Sequence, residues 1–400
     1  MAPAVPYEQR LLRLVEARLD VALADRRDDH AARLEVLEAV AALHGGFDLG
    51  GYRSLARRSW SLSEEEALER AAGVLPELRR LAIPIPLALT ALAREPLPTP
   101  AQRRAGAYYT DFRLAQRLAG NLVAPLEAGQ PVIDPASGTG ILLVALAMRF
   151  APDQAKIDRF LRDSVYAADL SENALRGAAL ALASMTSDLD VVERFLPRLR
   201  VMDSLRAGPQ AWNDVAPRGF AAVIANPPWE KLKISRHEHL LSEGVERHYG
   251  ADYEEGAESE ALDEARRRMA SYVAEVSRAC GSLRSGGEVD LYQLFVSLSL
   301  HLVDDGGQLA LLLPAGLIRA HGTAALRRHL FNRCSVLRVG VCFNHAQFFA
   351  IDSRFKFLSV HARLGSPNGR KRPLTLEHLE GTPDGVKAAS RAVLGRRQLR

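Results

Sequence analysis

The hydrophobic pattern of this 400-residue chain changes character about a quarter of the way along. From Tyr7 to Leu23 apolar positions recur at helical spacing, and Ala, Leu, Arg and Glu dominate as far as about Ala93. This predicts a helical amino-terminal region. Pro96, Pro98 and Pro100 then form a connector, because proline lacks the N–H that a helix needs. Beyond it come short unbroken apolar runs, at Val132–Ile133, Val165–Ala168, Leu199–Val201, Phe220–Ile224 and Gln308–Leu313. Runs without alternation predict strands covered on both faces. Helical stretches separate them, at Ile141–Phe150, after Ser171 (a candidate cap) and at Asp290–Leu302. Strand, loop and helix in succession predict an α/β fold with a doubly wound sheet. Val336–Phe343 and Phe355–Ala362, joined by a short connection, read as an antiparallel hairpin. The total is seven strands, the last reversed.

The units that follow are residues 1–100, helical with the linker, and 101–364, the sheet domain. Residues 231–287 interrupt the second with a charged helical excursion holding Glu254, Glu255, Glu258 and Glu260. It reads equally well as a solvated excursion or as a lid. Residues 365–400 read as a loop-like basic tail, with Arg370-Lys371-Arg372 and Arg396-Arg397.

In such a sheet, ligands sit beyond the carboxyl ends of the strands, so the residues at those ends carry the chemistry. The first run leads into Asp134-Pro-Ala-Ser-Gly-Thr-Gly140. Gly138 and Gly140 let the backbone approach a ligand closely. A dinucleotide fingerprint wants a third glycine where Leu143 stands, which disfavours a dehydrogenase. An acid at the start of the loop suits a cationic amino-acid end better than a pyrophosphate. The second strand ends in Asp169, placed as acids that grip ribose hydroxyls are. The third ends in Asp203-Ser204, which can read an adenine edge. Each acid alone reads as a cap or a surface residue.

The fourth strand ends in Asn226-Pro227-Pro228-Trp229. Asn-Pro pairs often mark plain turns, but this one completes a row of polar strand ends. The Asn226 side-chain carbonyl and the directed Pro227 carbonyl can accept both hydrogens of an exocyclic amine. Trp229 can stack on the planar ring bearing it. The arrangement suits alkylation of a planar amine.

Asp134–Gly140 together with Asn226–Trp229 resembles the S-adenosylmethionine-dependent DNA methyltransferases that modify the N6 amine of adenine. Gly106-Ala-Tyr-Tyr-Thr110 resembles their segment around the methionine end of the cofactor, and the motif order matches their gamma arrangement. Asp290–Phe295, Gly306–Pro314 and Ile351–Phe357 resemble their later motifs, most nearly those of restriction–modification and phage-defence systems. The resemblance spans about Arg104 to Ala362. It implies a seven-stranded methyltransferase sheet, with S-adenosylmethionine held by Tyr108, Thr110, Asp134, Ala136, Gly138, Gly140, Asp169, Asp203 and Asn226. The catalytic set it implies is Asn226, Pro227 and Trp229, acting on an adenine flipped out of double-stranded DNA. Its relatives need a target-recognition region, expected after the last catalytic motif, where only the short tail stands. Specificity or restriction subunits, further polypeptide or the amino-terminal helices would then supply it. Methylation of ribosomal RNA guanine or protein glutamine is a neighbouring reading, although those families usually carry Tyr where Trp229 stands. A non-catalytic cofactor-binding subunit is another, which an intact Asn226 disfavours.

Composition adds limits. A net charge of +4 leans weakly towards a polyanion partner. Three cysteines too dispersed for a zinc knuckle fit a reducing compartment. His237 and His239 flank Glu238 but lack further ligands at metal-binding spacing, so no metal is expected. His321 reads as a residue at a helix start. With no leader and no membrane-length apolar run, a cytoplasmic location is expected.

Overall fold

Four parallel strands build the centre of the molecule: β1 (Val132–Asp134), β2 (Val165–Asp169), β3 (Leu199–Val201) and β4 (Phe220–Ala225). β5 (Val303–Pro314), β6 (Cys334–Phe343), β7 (Lys356–Leu364), β8 (Leu374–Thr382) and β9 (Gly385–Leu394) extend the same sheet. In the computed structural model the order is β3-β2-β1-β4-β5-β7-β6-β8-β9. The structure describes residues 5–26, 29–95, 109–122, 129–230, 232, 257–283, 289–365 and 374–394. β7 runs antiparallel to both neighbours, with Leu311 opposite Val360 and Val339 opposite the same residue from the other side. The first seven strands therefore have the arrangement expected from the sequence. β1 is wholly buried, and β4 and the apolar part of β5 nearly so, as unbroken apolar runs require.

The helical region comprises α1 (Tyr7–Ala22), α2 (His30–Gly45), α3 (Leu49–Ala56), α4 (Glu64–Arg79) and α5 (Ile85–Leu92). α6 (Phe112–Asn121) precedes β1, and α7 (Ile141–Ala147) follows it. α8 (Gln154–Ser164) leads into β2, and α9 (Glu172–Ala183) leaves it, capped by Ser171, whose hydroxyl accepts from Ala174 N at 3.2 Å. α10 (Leu189–Phe195) and α11 (Ser204–Ala207) bracket β3. α12 (Ala257–Ala279) and α13 (Leu291–Leu302) lie between β4 and β5. α14 (Gly316–Arg319) and α15 (Ala324–Arg333) lie between β5 and β6, with His321 in a short 3-10 turn between them.

One expectation fails at the carboxyl end. The tail read as loop-like forms β8 and β9, so the sheet has nine strands rather than seven. The hairpin signal is Pro383-Asp384-Gly385, a turn tripeptide between two strand-like runs. Buried Glu377 on β8 fixes the hairpin, accepting from Arg117 on α6 at 2.7 Å and from Arg391 on β9 at 2.7 Å. Arg113, also buried, donates to the carbonyls of Thr382 and Ala346 at 3.1 Å each. The basic clusters Arg370–Arg372 and Arg396-Arg397 lie outside the described residues.

The amino-terminal helices share the core of the sheet. Buried Leu12, Val15, Leu37 and Leu89 belong to one apolar cluster with Ile133, Leu180 and Leu311. A bidentate ion pair crosses this junction: Arg176 on α9 donates to Glu38 on α2 at 2.9 and 2.7 Å, with Glu38 fully buried. Truncating one member strands the other's charge in the interior, which costs more than replacing both by apolar groups. Arg176→Ala is expected to destabilise the protein by about 3–5 kcal/mol, and Glu38→Leu combined with Arg176→Met by much less. Chemical denaturation of both variants measures the difference.

Candidate functional site

The loops after β1 to β4 open onto one cavity of about 400 Å³, within the usual range for small-ligand sites. Asp134 ends β1 and is 1% exposed. Its Oδ1 accepts from Ala136 N at 3.1 Å, whereas its buried Oδ2 has no hydrogen-bond partner among the described residues. Burial pushes this carboxyl well above the usual range, and the charge of Asp169 pushes it further. The loop that follows needs its glycines. Gly138 and Gly140 have φ of 51° and 80°, left-handed values that favour glycine. A side chain on Gly138 would meet open space, but a Cβ on Gly140 would lie 2.8 Å from that of Ala178 on α9.

Asp169 ends β2 and clamps this loop: its Oδ2 accepts from Gly138 N at 2.8 Å and its Oδ1 from Ser171 N at 2.9 Å. Burial raises its pKa and these donors hold it down. Asp203, just past β3, caps α11 by accepting from the Leu205 and Arg206 amides. Its other oxygen accepts from the Tyr272 hydroxyl of α12 at 3.0 Å. Arg206 lies over the Tyr272 ring at 5.1 Å and pairs with Glu275 at 3.2 Å. Burial and the neighbouring carboxylate raise the tyrosine pKa above its ordinary value.

Asn226 follows β4 directly, and its Nδ2 donates to Thr110 Oγ1 at 3.0 Å. An amide whose nitrogen is committed to Thr110 turns its carbonyl oxygen the other way. Thr110 is held in turn, since its carbonyl accepts from Arg94 Nη2 at 2.8 Å. Arg94 also pairs with the Glu8 carboxylate and covers the Tyr109 ring at 4.8 Å.

Of the residues singled out in the sequence, Thr110, Asp134, Ala136, Gly138, Asp169, Asp203 and Asn226 line the cavity. Gly140 stands behind it as a packing residue, and Pro227 is not on the lining. Tyr108, and the trio His237, Glu238 and His239, lie outside the described residues. Trp229 departs from its expected place. It is 8% exposed, off the cavity lining, and donates from Nε1 to the Leu312 carbonyl at 3.3 Å. Its ring lies 5.8 Å from that of Phe355 at 13°, with Phe349 edge-on at 5.2 Å. One face that could receive a base is therefore taken by a protein ring, and the reason is a shared aromatic cluster with β7. Arg94 and Tyr272 escaped the sequence reading, because nothing in their local pattern separates them from surface helix residues.

Residues 97–253 match the model of a protein family described as N-6 DNA Methylase. The resemblance read from the Gly-rich loop and Asn226–Trp229 thus holds, and this stretch carries the signature of the N-6 DNA methylase family. No curated protein matches the chain. Solved structures share its fold at low identity. The type IIG restriction endonuclease BpuSI is 14% identical with a TM-score of 0.54, covering 96% of this chain and 45% of its own. The chain of a DrdV–DNA complex is 14% identical with a TM-score of 0.53, over 93% of this chain and 41% of its own. A component of a type I R-M system is 15% identical with a TM-score of 0.50, over 96% and 80%. The chain thus spans under half the length of the BpuSI and DrdV chains.

The two glycines generate a contrast. Gly138→Ala is expected to cost only its left-handed backbone, about 1–2 kcal/mol. Gly140→Ala adds overpacking against Ala178, worth about 1–3 kcal/mol more. Denaturation midpoints of the two variants should fall in that order.

Proposed function

We propose that this chain transfers a methyl group from S-adenosylmethionine to the N6 amine of adenine in DNA, as part of a restriction–modification or phage-defence system. The observation that carries the reading is the meeting, in one cavity, of Asp134, Gly138, Asp169 and Asp203 with an Asn226 amide oriented by Thr110. The cavity suits the cofactor. The buried oxygen of Asp134 that lacks a partner among the described residues matches an ammonium group, and the missing side chain of Gly138 leaves room at the loop. Asp169 and Asp203, on the cavity wall with Thr110 and Ala136, are the acceptors assigned to a ribose and an adenine edge.

When bound, S-adenosylmethionine supplies an electrophilic methyl group on a sulfonium. The protein's own work is to prepare the nucleophile. The N6 lone pair of adenine is delocalised into the ring, and acceptors on both N6 hydrogens favour a pyramidal nitrogen with a localised pair. The Asn226 side-chain oxygen and the Pro227 carbonyl are those acceptors. Positioning and dipoles aimed at the charge developing on nitrogen supply the rate. No base is needed beforehand, since the amine becomes acidic only as it gains positive charge. The target leaves the duplex to reach the site. A base stacking on Trp229 would have to displace Phe355, which is 38% exposed, from that face. Sequence specificity is assigned to a partner subunit, to further polypeptide or to the amino-terminal helices, as phosphate contacts alone carry no base information.

Radiolabelled S-adenosylmethionine, offered with DNA, RNA or protein, tests the reading. Label is expected in DNA adenine; transfer only to RNA or protein would refute it. Asn226→Ala is expected to abolish transfer while leaving cofactor affinity near wild type, and substantial residual DNA methylation would rule out the amine-polarising role. Asp134 gives a second test. Its pKa is raised in the free protein, and an adjacent ammonium lowers it by favouring the ionised form. Binding therefore expels a proton below the raised pKa, and affinity climbs with pH through that range. Calorimetry in two buffers of different ionisation enthalpy should detect the proton, and Asp134→Asn should lose it.

A further inference from the structure

We propose that Glu8 and Arg94, both in the helical amino-terminal region, are positioning residues for the Asn226 amide. The inference rests on the reading that Asn226 serves the reacting amine, and it is carried by an unbroken chain of polar contacts. Glu8, on α1, is 3% exposed. One carboxylate oxygen accepts from Phe112 N at 3.1 Å, at the first residue of α6, and the other pairs with Arg94. Arg94 donates its second terminal nitrogen to the Thr110 carbonyl at 2.8 Å, and its plane covers the Tyr109 ring. Thr110 Oγ1 then accepts from Asn226 Nδ2 at 3.0 Å. Two anchors thus grip residues 109–112 from one carboxylate, and the side chain between those anchors sets the orientation of the amide.

The energetics favour a rigid link. Burial raises the Glu8 pKa, and the opposing pull of Arg94 and the Phe112 amide acts on the same carboxylate. A buried carboxylate with directed, charge-assisted donors on both oxygens has little freedom to turn. The Thr110 side chain is 116 residues from Asn226 in sequence, and Glu8 is 104 residues from Phe112. No local preference can hold such parts in register, so the tertiary contact must. An amide turned end for end would present donors to an amine that itself donates, and the acceptor would be lost. The helical region is on this account a component of the catalytic geometry, besides whatever else it contacts.

The test separates this role from simple stability and from the choice of substrate. Full-length protein, labelled with 15N in asparagine, reports the Asn226 side-chain amide, assigned by its loss in Asn226→Ala. Glu8→Gln keeps the shape of the side chain and removes the charge, while Thr110→Val removes the acceptor at constant volume. Both are expected to move the Asn226 amide resonances in the same direction. Both should lower kcat for DNA methylation at least fivefold, and the loss in Glu8→Gln, at a residue off the cavity lining, should come with S-adenosylmethionine affinity within twofold of wild type. Thr110→Ser should restore both readouts. The double variant Glu8→Gln/Thr110→Val should be no slower than Thr110→Val alone, because groups acting in series are non-additive. Asn226 resonances unmoved by Glu8→Gln, or rate losses that simply multiply, would overturn the proposal. If the resonances move as expected and wild type transfers nothing to DNA, the substrate reading fails and the positioning inference stands.

Discussion

A single carboxylate, that of Asp169, sets the floor of the cavity. It joins the glycine loop of β1 to the start of α9 through Gly138 N and Ser171 N. Neighbouring backbone bonds depend on that register: Ser137 N donates to the Ala168 carbonyl at 3.0 Å, and Met202 N to the Asp169 carbonyl at 2.9 Å. The Ser204 hydroxyl closes the set by donating to the Pro135 carbonyl at 2.7 Å. Three loops from three strands thus fix one another before any ligand arrives. Such preorganisation removes an ordering cost from binding.

The amino-terminal helices extend this rigidity. Gly177 on α9 admits the close approach of Ala93 and Thr139, each 2.9 Å from where a Cβ would stand. α5, the glycine loop and α9 therefore meet at a point with no room for a side chain. The sequence neighbours of Gly177 and Ala93, Arg176 and Arg94, pair with Glu38 and Glu8. Apolar contacts alone would let these surfaces slide, whereas a buried carboxylate with directed donors on both oxygens, as in Glu38 and Glu8, accepts only one registration. Holding register is the best-attested use of buried charge.

The parts legible in the sequence were those set by local pattern. Unbroken apolar runs marked β1 to β5, and a polar residue one or two positions past each of the first four runs marked the cavity, because strand direction decides where those side chains emerge. What escaped depends on contacts distant in sequence. The Thr110 bond to Asn226 spans a gap that no periodicity crosses, and Tyr272 reaches Asp203 from a helix whose pattern looks solvated. Trp229 was read correctly as an aromatic at a strand end, but its burial depends on Phe349 and Phe355, over a hundred residues on. β8 and β9 were missed for a different reason. The basic residues near them drew the reading towards a solvated tail, while Pro383-Asp384-Gly385 held the hairpin signal in plain view.

Electrostatics decides which class of ligand the cavity accepts. Asp134 has one oxygen without a hydrogen-bond partner among the described residues, a pKa raised by burial, and the Asp169 carboxylate as a neighbour that raises it further. A pyrophosphate placed there would add negative charge to a wall already disfavouring its own, which disfavours a dinucleotide as Leu143 in the place of a third glycine does. An ammonium or sulfonium does the reverse, stabilising the ionised carboxyl that burial penalises. On the proposed reading, a cationic group of the ligand would offset the burial that raises the Asp134 pKa. Gly138 and Ser171 already donate to Asp169, which leaves Asp134 as the acid for that group to meet.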